Sequence, residues 1–438
     1  MILKTFTILA LACVSLHAQV IGTSNSGSAE QSSAISSNSN QVIQWNRTLL
    51  MIVRTHGAQP PTVHSTHSFA MMHAAIYDAV NNIDKTHSPY LVRLHGVSPD
   101  ASQDAASASA AHSVLVSLYP KFQVSLDAQL KEALAQIPDG PNKSEGIRVG
   151  QTVGDRVLLA RSKDGSELPP LVYIFGDQPG DYQSTPPNFP KQPQFTGWSR
   201  VVPFTLQSAK QFRPGPPPAL TSDEYAAVFN EVKSLGIMNG QAATDDQKFT
   251  GRFWNGAIQN YWNEIAQTAA LRRDLTVAES ARLFALLNLA FADDVIAFYD
   301  AKYTYNFWRP VTAIQAADTD GNPNTVVDPN WLPEVGKTTP DPSYPGAHAV
   351  ISATGAFVLD SFFKDDHFDF IVTSEVIPGA ARSFTSFSAA SKEATLSRIF
   401  AGVHFRSDLT SGQRLGRRIA DFVVGNYLLP VLANNRGQ

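Results

Sequence analysis

Apolar residues recur every three or four positions along most of this chain, which is the periodicity of helices packed against a core. The pattern is clear in two alanine-rich stretches, 68–81 and 105–118. Thr276 and Glu279 form a capping box, and the apolar positions that follow predict a long helix to about Lys302. Strand-like alternation is scarce, so the sequence predicts an all-α protein.

The second part of the chain continues the helical pattern after an interruption. Further helices are expected at 221–236, at about 346–363, up to about 402 and at about 408–428. The interruption, 163–219, holds many of the 28 prolines, and proline density excludes regular helix. We therefore divide the chain into an N-terminal helical half (41–162), a proline-rich connecting loop (163–219) and a C-terminal helical half (220–438).

The first 40 residues have a different composition. Residues 1–18 have the pattern of a signal peptide, with Lys4 as its basic start, an apolar run over 6–16 and Ala18 at the expected cleavage site. Residues 19–40 are rich in Ser and Asn and are expected to be a disordered leader. The protein is therefore expected to be exported, to the periplasm or the medium, with lipid attachment at Cys13 as an alternative.

Composition narrows the classes of partner. The chain has 438 residues, 43% of them hydrophobic, which is ample for a large core. Its formal net charge of −4 gives no general attraction to nucleic acid, and no run beyond the N-terminus is apolar enough to span a bilayer. Any cluster of cations is therefore a local site.

Such a cluster is spread over three sequence motifs in the C-terminal half. The first contains Lys302 and Arg309, and the second is Pro345-Gly346-Ala347-His348. The third contains Arg398, His404 and Asp408. Three permanent cations, two imidazoles and a small-residue turn at a helix start suit a tetrahedral oxyanion such as phosphate or vanadate.

These three motifs, in this order, resemble the signature of the vanadium-dependent haloperoxidases, which share it with the type 2 phosphatidic acid phosphatases. The flanks 303–314 and 72–81 are similar to the bacterial haloperoxidase branch. The middle motif departs from the family's Pro-Ser-Gly-His, because Gly346 and Ala347 replace its serine and glycine. The family's hydroxyl is thus missing, and Ser343 and Tyr344 are candidate substitutes.

The resemblance implies two helical bundles joined by the proline-rich loop, with vanadate, as V(V), bound in the C-terminal half. His404 would be the ligand to the metal, and the other cofactor-binding residues would be Lys302, Arg309, Gly346, Ala347 and Arg398. His348, Lys302 and Asp408 would be catalytic: His348 as acid–base group, Lys302 polarising the peroxide and Asp408 supporting His404. The implied partners are hydrogen peroxide, a halide and a small organic acceptor. Whether the protein forms a homodimer is left open by the sequence.

The implied reaction oxidises a halide, with bromide favoured over chloride, to a hypohalous acid equivalent. Asp341, seven residues before His348, stands where relatives often have an aromatic residue or a histidine, and its carboxylate would repel a halide. Two alternatives therefore stay open. One is an acid phosphatase-type phosphomonoesterase that acts through a phosphohistidine on His404, and the other is a non-catalytic phosphate- or vanadate-binding protein.

Other polar groups offer further candidate sites. The pairs Asp293-Asp294 and Asp245-Asp246 could bind a metal or act as acid–base pairs, but we interpret them as surface or capping carboxylates. His64, His67 and His73 have near-helical spacing without matching carboxylates, and we interpret them as structural.

Overall fold

The computed structural model describes residues 40–431, and α-helices dominate that range. The predicted signal sequence and all but the last residue of the predicted leader lie outside the described residues. The first half contains five helices: α1 (Gln41–Arg54), α2 (Ser65–Asp84), α3 (Gln103–Leu118), α4 (Gln123–Ala135) and α5 (Pro141–Arg161). The two alanine-rich stretches lie within α2 and α3.

The second half contains eight helices and a hairpin within the described range. The helices are α6 (Asp223–Leu235), α7 (Asp245–Phe253), α8 (Ile258–Arg272), α9 (Val277–Tyr305), α10 (Pro310–Gln315), α11 (Ala347–Phe363), α12 (Phe387–Phe400) and α13 (Arg406–Asn426). The all-α prediction is confirmed. Between residues 40 and 431, no helix combines the length and apolar character needed to cross a membrane.

The antiparallel hairpin of β1 (His367–Thr373) and β2 (Ala381–Ser386) was not predicted. In β1 only the alternate residues Phe370 and Val372 are buried, at 2% and 4% exposure, and in β2 only Phe384 is buried, at 8%. One or two buried positions per strand give too short an alternation to distinguish a strand from a loop in the sequence.

Helix α9 positions the site because it lies between the two halves. It begins at the predicted capping box, in which Thr276 accepts from the Glu279 N–H and Glu279 accepts from the Thr276 N–H. It packs against α2 and against residues 198–200 of the proline-rich segment. It also packs against α11 and α13 of the C-terminal half. Residues 40–431 thus belong to one compact unit, in which most of this helix is buried.

The proline-rich segment, residues 163–219, contains no α-helix and is attached along α9. Arg213 pairs with Asp300 through two contacts of 2.6 and 2.8 Å. Tyr305 donates a hydrogen bond of 2.5 Å to the Pro214 carbonyl oxygen. Helix α9 therefore fixes this segment at several points along its length.

Asp293 makes the most extensive of these attachments. Its carboxylate accepts the backbone N–H groups of Phe204, Thr205 and Leu206 at 2.6, 2.7 and 2.9 Å, and the Thr205 hydroxyl as well. Both Asp293 and Asp294 are fully buried. The interpretation of this pair as surface or capping carboxylates is therefore wrong, because both residues are buried in the interior of α9 and Asp293 binds N–H groups of a loop, not of a helix end. Asp245 and Asp246 lie exposed in the first turn of α7.

Replacing Asp293 should lower the stability of the protein. Asp293→Ala leaves three backbone N–H groups at a buried position without acceptors, and each such group costs about 1–3 kcal/mol. We expect the free energy of unfolding to fall by more than about 3 kcal/mol, measured by urea denaturation. Asp245→Ala, at an exposed helix start, should cost less than about 1 kcal/mol. Equal losses of stability in the two variants would contradict the role of Asp293 as acceptor for the three N–H groups.

The three histidines near the chain start have structural contacts. His64 caps α2 through the Thr66 N–H, His67 lies 2.7 Å from Asp164, and His73 lies 2.9 Å from the Asn46 side-chain oxygen. Within residues 40–431, no group of three or more His, Cys, Asp or Glu is placed to hold a metal ion.

Candidate oxyanion site

The three sequence motifs meet at one place, built from helix ends. Lys302 lies in the last turn of α9, Arg309 precedes α10, and Arg398 lies in the last turn of α12. His404 lies in the turn between α12 and α13. These four side chains are buried, with exposures of 1% for Lys302 and Arg309, 3% for Arg398 and 4% for His404. The sequence-predicted cations and this imidazole are thus neighbours inside the fold.

His404 is oriented by Asp408. The Nδ1 atom of His404 lies 3.0 Å from Asp408 Oδ2, which also accepts the Ser343 hydroxyl at 2.6 Å and the Phe405 N–H at 3.1 Å. Burial raises the pKa of Asp408 to about 6, against the opposing effect of the Ser343 and Phe405 hydrogen bonds. At neutral pH a carboxylate can only accept, so Nδ1 carries the proton and Nε2 is the unprotonated nitrogen.

The imidazole of His404 is neutral at neutral pH. Burial lowers its pKa well below the usual range, and the charges of Arg309, Lys302 and Arg398 lower it further. Arg309 Nη1 lies 3.1 Å from His404 Nε2. A guanidinium can only donate, so this contact independently assigns the lone pair to Nε2.

Arg398 differs from the other two cations in its free hydrogen-bond donors. Its Nη2 donates to the Asn255 side-chain oxygen at 3.0 Å. Its Nε and Nη1 atoms are buried and have no hydrogen-bond partner among the described residues. Burial beside Arg309 lowers the pKa of Arg398 to about 9, so it stays a cation at neutral pH. A buried cation with unpaired donors is costly unless an anion completes it.

A cavity of about 370 Å³ opens onto Arg398. It is also lined by Asn255 and Val403, by residues 185–188 and 190 of the proline-rich segment, and by residues 337–340. The proline-rich segment therefore forms part of the cavity wall beside Arg398.

Lys302 and Arg309 are already bonded to protein groups. Lys302 Nζ donates to the carbonyl oxygens of Pro342 and Ser343, the latter at 3.2 Å, and lies 3.1 Å from Asp341 Oδ1. Arg309 donates from Nε to the Asp341 carbonyl oxygen at 2.7 Å and from Nη2 to Asp341 Oδ1. Burial lowers the pKa of Lys302 to about 8, while the charge of Asp341 partly restores it.

The middle motif forms the start of α11 with Gly346 as its N-cap. The Gly346 N–H donates to the Asp408 carbonyl oxygen at 3.0 Å. A Cβ on Gly346 would lie 2.9 Å from Leu409 Cδ2, so a serine at this position would require the end of that leucine side chain to shift. The candidate substitute hydroxyls are bonded elsewhere: that of Ser343 to Asp408, and that of Tyr344 to the Gly215 carbonyl oxygen.

His348 lies one residue into α11, next to Ala347. Its Nε2 lies 2.9 Å from the Trp254 carbonyl oxygen, which can only accept, so Nε2 carries the proton and Nδ1 is the unprotonated nitrogen. Burial lowers the pKa of His348 well below the usual range, and the charge of Arg398 acts in the same direction. His348 is thus a neutral imidazole that is able to accept a proton.

The group of donors fits a tetrahedral oxyanion. Arg398 supplies two unpaired donors, His404 supplies an unprotonated nitrogen, and Arg309 reaches that same nitrogen. The same three residues fit both vanadate and phosphate, because both anions are tetrahedral. Sequence reasoning identified each of these residues, but it did not identify Asn255 or the contacts of Asp341.

Comparisons with known proteins identify relatives of this chain. Residues 282–429 match the family model of the VCPO second helical-bundle domain. The chain is similar to the vanadium chloroperoxidase of Curvularia inaequalis, with 25% identity over 86% of this chain and 80% of that protein.

Solved structures show the same fold over most of the chain. A bacterial vanadium-dependent iodoperoxidase aligns with a TM-score of 0.75 and 26% identity, over 90% of this chain and 98% of that one. The holo form of a bacterial vanadium-dependent chloroperoxidase aligns with a TM-score of 0.62 and 17% identity, over 84% of this chain and 93% of that one. The resemblance predicted from the three motifs is therefore confirmed.

Proposed function

We propose that this chain, a relative of the vanadium-dependent haloperoxidases throughout both helical halves, is an enzyme that binds vanadate and uses hydrogen peroxide to oxidise a halide, bromide in preference to chloride. The observation that carries the proposal is the unprotonated Nε2 of His404, held by Asp408 beside two guanidinium groups. Bromide is favoured over chloride because it loses electrons more easily.

The residues that would hold vanadate are His404 through Nε2, Arg398 through Nε and Nη1, and Arg309. When bound, vanadate supplies a V(V) Lewis acid that activates hydrogen peroxide toward a halide. Asp408 keeps the Nδ1 proton of His404 in place, which fixes the tautomer and the ring orientation. Burial of the cations strengthens their attraction for the developing negative charge.

His348 would accept a proton from the incoming peroxide at Nδ1, while its Nε2–H stays bonded to the Trp254 carbonyl oxygen. The Trp254 contact fixes the imidazole ring, so Nδ1 keeps one orientation. The cavity above Arg398 would admit the peroxide and the halide, and a small organic acceptor would meet the hypohalous acid equivalent there.

The activity test is bromination of a phenolic dye by purified protein, with peroxide and bromide, before and after orthovanadate is added. Activity that requires vanadate supports the proposal. Hydrolysis of a nitrophenyl phosphate, inhibited by vanadate and without bromination, would instead establish a phosphomonoesterase. Thermal stabilisation by both anions without any turnover would establish a binding protein.

His348→Ala tests the acid–base assignment in the same assay. We expect vanadate affinity within a few-fold of wild type and a fall in kcat of about 100-fold, measured with saturating vanadate. The matched control is His112→Ala, since that histidine lies in the N-terminal half, paired with Asp127. Unchanged peroxide kinetics in His348→Ala would exclude this residue as the acid–base group.

Export is proposed on the signal-like pattern of Lys4 and the apolar run over 6–16. N-terminal sequencing of protein recovered outside the cytoplasm would show whether the chain is cut after Ala18.

A further inference from the structure

Asp341 is a buried carboxylate inside the cluster of cations. Its side chain is 4% exposed and lies within salt-bridge distance of both Lys302 and Arg309 through the same oxygen, Oδ1. Burial opposes its ionisation, but the charges of Lys302 and Arg309 outweigh that effect and lower the pKa of Asp341 below its usual value. The residue is therefore an anion at neutral pH.

The second carboxylate oxygen is also bonded. Asp341 Oδ2 accepts from the Gln194 side-chain amide at 3.0 Å and lies 3.5 Å from the Tyr299 hydroxyl. Gln194 belongs to the proline-rich segment, and its backbone N–H donates to the Pro340 carbonyl oxygen at 2.9 Å. Asp341 is thus held in one position from two sides, by the cations and by the proline-rich segment.

The hydrogen-bond donors of Lys302 and Arg309 are largely occupied by protein acceptors. Lys302 has three N–H donors and three protein acceptors: two carbonyl oxygens and Asp341 Oδ1. Arg309 uses Nε and Nη2 on Asp341, and its Nη1 contacts the Val403 carbonyl oxygen and His404 Nε2. An oxyanion that approaches His404 therefore meets two cations whose charge is already shared with a carboxylate.

We propose that Asp341 is a built-in counter-ion of the oxyanion site, which competes with a bound oxyanion for Lys302 and Arg309 and so sets how tightly vanadate or phosphate is held. Arg398, whose Nε and Nη1 are unpaired, is then the cation that recruits the anion first. The inference extends the proposed function, because it concerns the affinity of that same site and not the reaction.

The test is direct binding of orthovanadate and of inorganic phosphate, by calorimetry at fixed pH and ionic strength, to wild type and to Asp341→Asn. The amide keeps the shape of the carboxylate but removes its charge, and the Gln194 amide can turn to offer its oxygen to the new N–H group. We expect Asp341→Asn to bind both anions about 10- to 100-fold more tightly, because a full negative charge beside the site is lost. It should also unfold at a lower temperature without anion and recover when either anion is added.

Asp164→Asn is the matched control. Asp164 is likewise a buried carboxylate shared by two basic side chains, His67 and Arg161, but it lies at the start of the proline-rich segment and both of its partners belong to the N-terminal half. This variant should lose stability without any change in affinity for either anion. Asp341→Glu, which keeps the charge, should stay close to the wild-type affinity.

The outcomes separate this inference from the proposed function. Equal or weaker anion binding by Asp341→Asn would overturn the counter-ion role, even if wild type shows vanadate-dependent bromination. Tighter binding by Asp341→Asn without bromination in either protein would support the counter-ion role and overturn the proposed function. Failure of both proteins to bind either anion would overturn both.

Discussion

His404→Ala should abolish the retention of vanadate. In our assignment His404 Nε2 is the protein's bond to the metal, and an alanine offers no replacement for that nitrogen. We expect vanadate affinity to fall at least about 100-fold, since this change removes a ligand and even loss of its supporting residue costs 10–100-fold. Phosphate needs no such bond, so phosphate affinity should change only a few-fold. Equilibrium dialysis with vanadium analysis, beside calorimetry with phosphate, gives both numbers.

The control for this variant is His367→Ala. His367 lies at the start of β1 and its side chain is 91% exposed, so its loss should leave both affinities unchanged. Normal vanadate binding by His404→Ala would rule out the ligand assignment. Equal losses for vanadate and phosphate would mean that the substitution disturbs the surrounding cations, and the thermal unfolding curve would show it.

Arg398→Ala should weaken the binding of both vanadate and phosphate, without destabilising the anion-free protein. Two charge-assisted hydrogen bonds from Nε and Nη1 would be lost, each of about 1.5–3 kcal/mol, so affinity should fall about 100-fold or more. The same change removes a buried cation with unpaired donors, so the unfolding temperature without anion should stay equal or rise. Arg398→Lys should fall between wild type and alanine, because a lysine keeps the charge but loses the planar pair of donors.

Arg382→Ala is the comparison for Arg398→Ala. Arg382 is also an arginine near α12, but it pairs with Glu393 and Asp246 away from the site. This variant should lose some stability and keep both affinities. An Arg398→Ala protein that is less stable yet binds anions normally would make Arg398 a structural residue.

The sequence predicted those parts of the molecule that depend on local patterns. The capping box at Thr276 and Glu279 marks the start of α9, and motif spacing alone groups Lys302, Arg309, Arg398 and His404 as one site. The hairpin β1–β2 was missed because its buried alternation is too short. The burial of Asp293 was missed because its partners, residues 204–206, are almost 90 positions away in the chain.

Asp341 shows most clearly where sequence reasoning stops. Its distance from His348 identified it as unusual, and repulsion of a halide was the expected effect. Its partners come from three places in the chain: Gln194, the last turns of α9 with Tyr299 and Lys302, and Arg309. No local pattern relates a glutamine in a proline-rich segment to an aspartate about 150 residues later, so the neutralising contact could be found only in the folded chain.

The attachment of the proline-rich segment to α9 has a consequence for how such enzymes diverge. Asp293, Asp300 and Tyr305 fix the segment between residues 204 and 214, whereas Val172 and Ile174, which precede these attachments, are 87% exposed and Phe189 is 61% exposed. These three side chains make no hydrogen bond to the buried cations and imidazoles, so their replacement should leave the cluster intact. Under the proposed function, sequence drift in the proline-rich segment would change which acceptor molecules reach the site, while the residues that would hold vanadate stay the same.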